Sequence, residues 1–295
     1  MRRKVANIIA AAIFLTGLVV FLYPIVSNQW NEYHQSRAIA SYTEAVADLS
    51  EDDYDALWAA AEAYNSSIVT NTYTADSFSD QQENLEGTEY WSLLNLNDDG
   101  IMGYISILKI EVKLAIYHGT SDSVLQVGAG HMSGTSLPIG GEGTHSVIAA
   151  HRGLPSAELF TNLDQLEVGD KFYIHILGEV LAYEVDQILP MVDKDDTDAL
   201  KEAMAIEEGE DYVTLFTCTP YGVNSHRLLV RGHRTEYYGE DDEEETTPVE
   251  SMLQSVRDYY MLYLLGIFAA AILITLMIRI VRNRWISRKE REGSE

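Results

Sequence analysis

The chain has 295 residues, 46% of them hydrophobic, with 20 basic and 46 acidic side chains for a formal net charge of −26. That length holds one or two ordinary domains, and the apolar content is too high for disorder throughout, while the charge argues against a nucleic-acid-binding face and against docking of the protein's bulk on anionic lipid, both of which need basic groups. The single cysteine, Cys218, excludes an intramolecular disulfide framework and a zinc site built from several thiolates.

Residues 1–4 are basic at Arg2, Arg3 and Lys4, and Val5 to Val26 then run without a charge. At 1.5 Å per residue this run spans a hydrocarbon core of about 30 Å, longer than the apolar region of a cleaved signal peptide. It predicts an uncleaved transmembrane anchor over 5–27. A second uncharged run, Tyr259 to Ile278, is followed by Arg279, Arg282, Arg284, Arg288, Lys289 and Arg291. By the positive-inside rule both basic flanks, 1–4 and 279–295, stay in the cytoplasm, which predicts two spans with the intervening chain outside. That outer part keeps 11 basic and 43 acidic residues, a net of −32. A solvated, ion-rich surface is its ordinary meaning, although such a surface also attracts cationic partners.

Residues 28 to about 70 have helical texture. Ser50 followed by Glu51, Asp52 and Asp53 suits a helix N-terminus, where a hydroxyl caps and acidic groups meet the positive end of the dipole. Tyr54, Leu57, Trp58, Ala61 and Tyr64 then fall on one apolar face, which predicts packing on a core. Residues 71–100 read as a long polar loop, the kind that often serves as a lid or binding element. From about 101 the texture changes to short strands with glycine and proline punctuation: Gly103–Leu114, Lys171–Leu177 with Gly178 as turn, Glu179–Pro190, Asp211–Cys218 and His226–Arg234. This pattern predicts a mainly β domain, a sandwich or barrel, and disfavours a doubly wound parallel sheet. Glu240 to Glu245 is an uninterrupted acidic run, expected to be a solvated tether within 236–258.

Cys218 ends a strand-like run beside the turn Thr219–Pro220–Tyr221–Gly222. Alternation sends Thr214, Phe216 and Cys218 to one face and Val213, Leu215 and Thr217 to the other. A lone cysteine is often a small buried hydrophobe; a reactive one needs a cation near it to favour the thiolate. His226 and Arg227 open the next strand, and a hairpin would bring a guanidinium back beside the thiol. Thiol-based acyl transfer also needs an imidazole to carry a proton. Eight histidines are available, at 34, 118, 131, 145, 151, 175, 226 and 233. His151 follows a strand-like stretch and precedes a turn, but on composition His131 and His145 are equally eligible. The chain has no His-Glu-x-x-His metal spacing, no Gly-x-Ser-x-Gly elbow and no phosphate-cradling Gly-Lys-Ser/Thr loop, and Gly140–Gly141–Glu142–Gly143 reads as a turn.

The run Thr214-Leu-Phe-Thr-Cys-Thr-Pro-Tyr-Gly222, continuing to His226-Arg-Leu-Leu-Val-Arg-Gly232, resembles the active-site hairpin of sortases, closest to class C, the pilin-polymerising group. Gly100-Ile-Met-Gly-Tyr104, Ile116-Tyr-His-Gly-Thr120, Gly130-His-Met-Ser-Gly-Thr-Ser-Leu-Pro138, Thr144-His-Ser146 and His151-Arg-Gly-Leu-Pro-Ser-Ala-Glu-Leu-Phe-Thr161 match the family's texture. The resemblance covers about 100–234. It implies a closed eight-stranded sortase β-barrel over 100–235, preceded by helices and a lid segment over 28–99 and flanked by the two spans. It implies a catalytic set of His151, Cys218 and Arg227, with Arg231 outside it. The thiol would attack the Thr-Gly peptide of a Leu-Pro-x-Thr-Gly-like sorting signal on a pilin or surface protein, and the acceptor in class C is a lysine amine of a pilin subunit. Neither a metal nor another cofactor is expected, and the bilayer is a partner through the spans. Class C members commonly carry an Asp-Pro-aromatic lid over the cysteine. Asp76-Ser77-Phe78 is the equivalent here, with Asp76 expected to pair with Arg227 and Phe78 to cover Cys218. Serine in place of proline leaves that lid's backbone less pre-set. Two rival functions are a sortase that anchors proteins to a cell-wall precursor amine and a non-catalytic, membrane-tethered assembly module.

Overall fold

The computed structural model describes residues 2–68, 70–71, 78, 85–241, 266 and 269–270. The chain divides into two compact units, Met1–Leu22 with Val249–Glu295, and Tyr23–Pro248. In the first unit the described residues are chiefly the start of helix α1, which spans Arg2–Ala47. It is the one helix among the described residues long and apolar enough to cross a membrane. Ile13, Leu15, Val19, Val20 and Phe21 are exposed along it. A helix apolar on all sides is stable when protein or lipid covers it. The expected second span, 259–278, and the basic tail after it lie outside the described residues but for three positions.

The second unit is mainly β. Eight strands among the described residues, β1 (Ile101–Ile107), β2 (Val112–His118), β3 (Ala129–His131), β4 (Thr144–Ala149), β5 (Lys171–Ile176), β6 (Glu179–Asp193), β7 (Asp211–Thr219) and β8 (His226–Thr235), close into a barrel in the order β1-β2-β3-β4-β7-β8-β6-β5. Most neighbours are antiparallel, but β2–β3 and β4–β7 are parallel. The stretch expected as one strand over Gly103–Leu114 is a hairpin instead. Leu108–Ile110 form a 3-10 turn and Glu111 adopts a left-handed φ of 53°, which reverses the chain between β1 and β2. The apolar texture continues through this turn and only its phase shifts by one residue, between Ile107 and Leu108, so the stretch reads as one strand.

Inward side chains such as Ile105, Ile116, Ile148, Phe172, Leu215 and Val230 fill the barrel. Gly232 on β8 makes room for them: a Cβ there would lie 2.6 Å from the Phe172 ring, a contact no side chain can occupy. Helix α2 (Glu51–Ser67) begins as expected, with the Ser50 side chain accepting from the Asp53 N–H. Its apolar face packs on the barrel core through Ala61, with Tyr54, Leu57, Trp58 and Tyr64 around it. The buried Asn65 side chain fixes the helix by accepting from the Leu137 N–H at 2.7 Å and donating to the Leu137 carbonyl at 3.1 Å. The second half of α1 is tied down likewise: Gln35 accepts from the Ala115 N–H and the Tyr42 hydroxyl accepts from the Leu177 N–H, each at 2.8 Å. Within 71–100, expected as loop throughout, Glu89–Ser92 form a helical turn, α3, capped by Thr88. Two further short helices, α4 (Asp122–Leu125) and α5 (Thr197–Ala203), lie between strands.

The acidic run after the barrel is not wholly solvated. The Asp241 carboxylate, 1% exposed, accepts from Ser106, from His175 at 2.7 Å and from the Tyr237 hydroxyl at 2.8 Å, while Glu240 pairs with Lys171 at 2.5 Å. A carboxylate among such donors is more stable on the protein than in an open tether. Residues 242–258 lie outside the described residues.

Candidate active site

The parallel pairing of β4 with β7 places the C-terminal ends of both strands at one end of the barrel. Ala149 pairs with Phe216, and the Ala150 N–H continues the ladder to the Phe216 carbonyl at 3.1 Å. The next residue on one side is His151, and two residues past Phe216 on the other is Cys218. The antiparallel hairpin β7–β8 then returns the chain so that Arg227 lies directly opposite Cys218, with Thr219 opposite His226. Topology therefore gathers His151, Cys218 and Arg227 at one mouth from positions up to 76 residues apart in sequence.

The faces fall as alternation requires. Val213 and Leu215 belong to the barrel core, whereas Phe216 belongs to a smaller apolar cluster with Val147, Ala149, Leu229, Leu200 and Met204. Cys218, 3% exposed, lies on the Phe216 side, and Arg227 beside it is 2% exposed. One guanidinium nitrogen, Nη1, donates to the carbonyls of Asn224 (3.1 Å) and His226 (2.8 Å), which aims the fork from the strand start. Arg231, four residues further along β8, instead pairs with Asp186 at 2.7 Å and stacks on Tyr212.

Phe78 covers this patch. Its ring stacks on Phe216 with centroids 5.9 Å apart, lies 5.3 Å from the His151 ring and has the Arg227 guanidinium carbon 5.2 Å from its centre. The imidazole and the guanidinium thus flank one aromatic ring. Asp76, the other expected lid residue, lies outside the described residues.

Burial decides among the histidines. His131 donates from Nε2 to the Ser136 carbonyl (2.8 Å) and receives the Tyr90 hydroxyl at Nδ1 (2.8 Å). His145 donates from Nδ1 to the Ala205 carbonyl (2.8 Å) and receives the Thr214 hydroxyl at Nε2 (2.7 Å). Burial, opposed only in part by these carbonyls, pushes His131 down to about 3 and His145 to about 4. Both are neutral with both nitrogens engaged and have no site for a substrate's proton. His118 is buried between the Gly100 and Leu93 carbonyls, and His175 pairs with Asp241. His151 is only partly covered. Burial lowers its pKa, and the charge of Asp122 at the start of α4 offsets part of that. A neutral imidazole able to take a proton is the form a general base requires.

Sequence reasoning did not single out Phe216 as the seat of the Phe78 ring, although it had placed Phe216 on the cysteine's face. It also did not single out Arg152, Thr217 or Asp122 around His151; no local pattern marks them. Among the described residues no cluster of three or more His, Cys, Asp or Glu could hold a metal.

Residues 105–235 match the family model of the sortase domain. The chain is similar to sortase C1 of Streptococcus agalactiae at 46% identity, with a TM-score of 0.61, covering 68% of this chain and 100% of that one. It is similar to a pilus-related sortase C of Group B Streptococcus at 45% identity, with a TM-score of 0.60, covering 67% of this chain and 97% of the other. It also matches sortase SrtE2 of Streptomyces coelicolor at 32% identity over 136 residues, which is 43% of this chain and about half, 53%, of that protein's length.

Proposed function

The chain belongs to the sortase family of cysteine transpeptidases, and from that membership we propose that it cleaves a Leu-Pro-x-Thr-Gly-like sorting signal between Thr and Gly and transfers the acyl group to a lysine amine of a pilin subunit. The observation that carries this reading is the pairing of Cys218 opposite Arg227, at the same barrel mouth as His151. The Cys218 sulfur attacks the threonine carbonyl, and His151 holds the thiol's proton as it does so. Arg227 donates hydrogen bonds to the oxygen as it becomes an oxyanion. The C–N bond then breaks, the glycine amine leaves with the proton from His151, and a thioester remains on Cys218. An incoming lysine amine attacks that thioester, gives its proton to His151 and forms an amide as the sulfur is released. One difficult exchange becomes two easier transfers.

The pilin substrate is supported by the similarity to a pilus-related sortase and by the aromatic cover over the site. In this reading Asp76 completes the lid by pairing with Arg227, helix α1 and the 259–278 run anchor the enzyme in the cell membrane, and the catalytic barrel faces outward. Co-expression with a pilin that carries a sorting signal, followed by denaturing electrophoresis, tests the proposal. The full-length protein should give a covalent ladder and Cys218→Ala should give none. An undiminished ladder from Cys218→Ala overturns it, and transfer to a small peptide amine but not to a pilin lysine assigns the enzyme to cell-wall anchoring instead.

A further inference from the structure

The residue after His151 has a guanidinium whose three nitrogens donate to three different places. Arg152, with its side chain 10% exposed, donates from Nε to the Thr161 carbonyl (3.1 Å), from Nη1 to the Thr219 hydroxyl (3.1 Å) and from Nη2 to the Asp164 carboxylate (2.5 Å). Thr161 and Asp164 belong to the far end of the loop that His151 opens, and Thr219 is the neighbour of Cys218 on β7.

The loop is closed at its base. The Phe160 N–H donates to the His151 carbonyl at 3.1 Å, and the Gly153 N–H donates to the Thr161 hydroxyl at 3.2 Å. Asp164 sits in the 3-10 turn Leu163–Gln165, and Leu163 is fully buried in the barrel core, so one anchor of the guanidinium is fixed to the body of the domain. From below, the Thr217 hydroxyl donates to the Ala150 carbonyl at 2.7 Å. His151 is thereby held by β7 on one side and by Arg152 on the other. The Thr219 bond ties the histidine's loop to the cysteine's end of the strand above the last ladder contact. A lysine could not replace this arrangement, since its single ammonium lacks the planar fork that reaches three separated acceptors.

We propose that Arg152 is a positioning residue that sets the separation between the His151 imidazole and the Cys218 sulfur, and so governs proton transfer between them. The proposal rests on the transpeptidase reading above. Arg152 touches neither thiol nor substrate peptide in this role. Its charge is matched by Asp164, so its effect is geometric rather than electrostatic. Misplacement of a catalytic pair by about 1 Å can cost on the order of 10²-fold in rate.

The test uses full-length protein in detergent with a sorting-signal peptide and an amine acceptor. Thr219→Val removes only the hydroxyl at the far end of the bridge, and Arg152→Lys removes the fork. Each should lower kcat by about 10- to 100-fold, leave KM within about twofold and leave the thermal midpoint nearly unchanged. The double variant should be no slower than the slower single, because the Thr219 bond that Thr219→Val removes is already lost in Arg152→Lys. The pH profile of Cys218 alkylation, which needs no substrate, should move in both variants, because the thiol loses its imidazole partner. Normal kcat with an unmoved alkylation profile overturns the proposal, as does a loss of rate that follows the thermal midpoint. If the unaltered protein transfers no peptide, the transpeptidase reading fails, and the alkylation profile still decides whether Arg152 couples the pair.

Discussion

Replacing Phe78 with alanine should open Cys218 to reagents. The ring makes three contacts that hold it down: a stack on Phe216 at 5.9 Å, a tilted contact with His151 at 5.3 Å and a cation–π contact with Arg227 at 5.2 Å. An aromatic pair contributes about 0.5–1.5 kcal/mol beyond area, and a cation–π contact contributes about 0.5–2 kcal/mol as it loses water. After the cost of ordering the side chain, about 2 kcal/mol remains to favour the closed position. At about 1.4 kcal/mol per factor of ten, that holds the open form down by about 30-fold. Cys218 is 3% exposed and is the chain's one cysteine, so alkylation followed by intact mass reports on this site alone. Phe78→Ala should therefore alkylate about 30-fold faster and Phe78→Leu, which keeps bulk but loses the π-face, only a few-fold faster. An unchanged rate in Phe78→Ala, with the thermal midpoint intact, would refute the idea that this ring shields the sulfur.

Further outcomes follow from the same geometry. Arg227→Lys keeps a positive charge but loses the planar fork, and kcat for peptide transfer should fall by about 10²–10³-fold in a single-turnover assay. His131 and His145 ionise near 6.5 when unfolded but stay neutral down to about 3 and about 4 when folded, so the unfolded chain binds two more protons below pH 6.5. These two groups should then contribute a loss of about 2.7 kcal/mol per unit as acid is added from pH 6.5 towards pH 5, measured by urea denaturation, on top of smaller losses from His118 and His151, which burial also lowers; His145→Gln should make the slope shallower by about 1.4 kcal/mol per unit. Asp122→Asn removes the charge that opposes the burial of His151, so the histidine's limb of the pH–rate profile should move to lower pH. Burial raises Asp241, but hydrogen bonds from His175, Ser106 and Tyr237 outweigh it and hold the carboxyl below its ordinary 3.8. Its contribution is present above that value and lost below it, and Asp241→Asn should make residues 236–241 newly sensitive to limited proteolysis at neutral pH.

Much of the site was legible because the chemistry is local in sequence. Cys218 and Arg227 stand nine residues apart across one turn, and a hairpin of that length has few ways to close, so their pairing follows once both flanks read as strands. The helix start at Ser50 and the apolar stripe of α2 were legible for the same reason, since capping and 3.6-residue periodicity are properties of neighbouring residues. The turn between β1 and β2 was not, because Leu108–Lys109–Ile110 preserves the apolar texture while the backbone reverses. Nor was the docking of Asp241, which depends on Ser106 and His175 arriving from strands 135 and 66 residues upstream.

The sequence by itself determined the span-length apolar run at the N-terminus, the β character of the 100–235 region, the family and the candidate set of residues, because each rests on composition, period or a contiguous motif. Tertiary structure separated the histidines: His131 and His145 carry the same side chain as His151, but they are buried with both ring nitrogens engaged, whereas His151 is only partly covered. It also decided that His151 and Cys218 lie at one mouth of the barrel. That placement depends on β4 and β7 lying parallel and adjacent, a non-local pairing that brings two strand ends 67 residues apart to one mouth and that no local signal encodes.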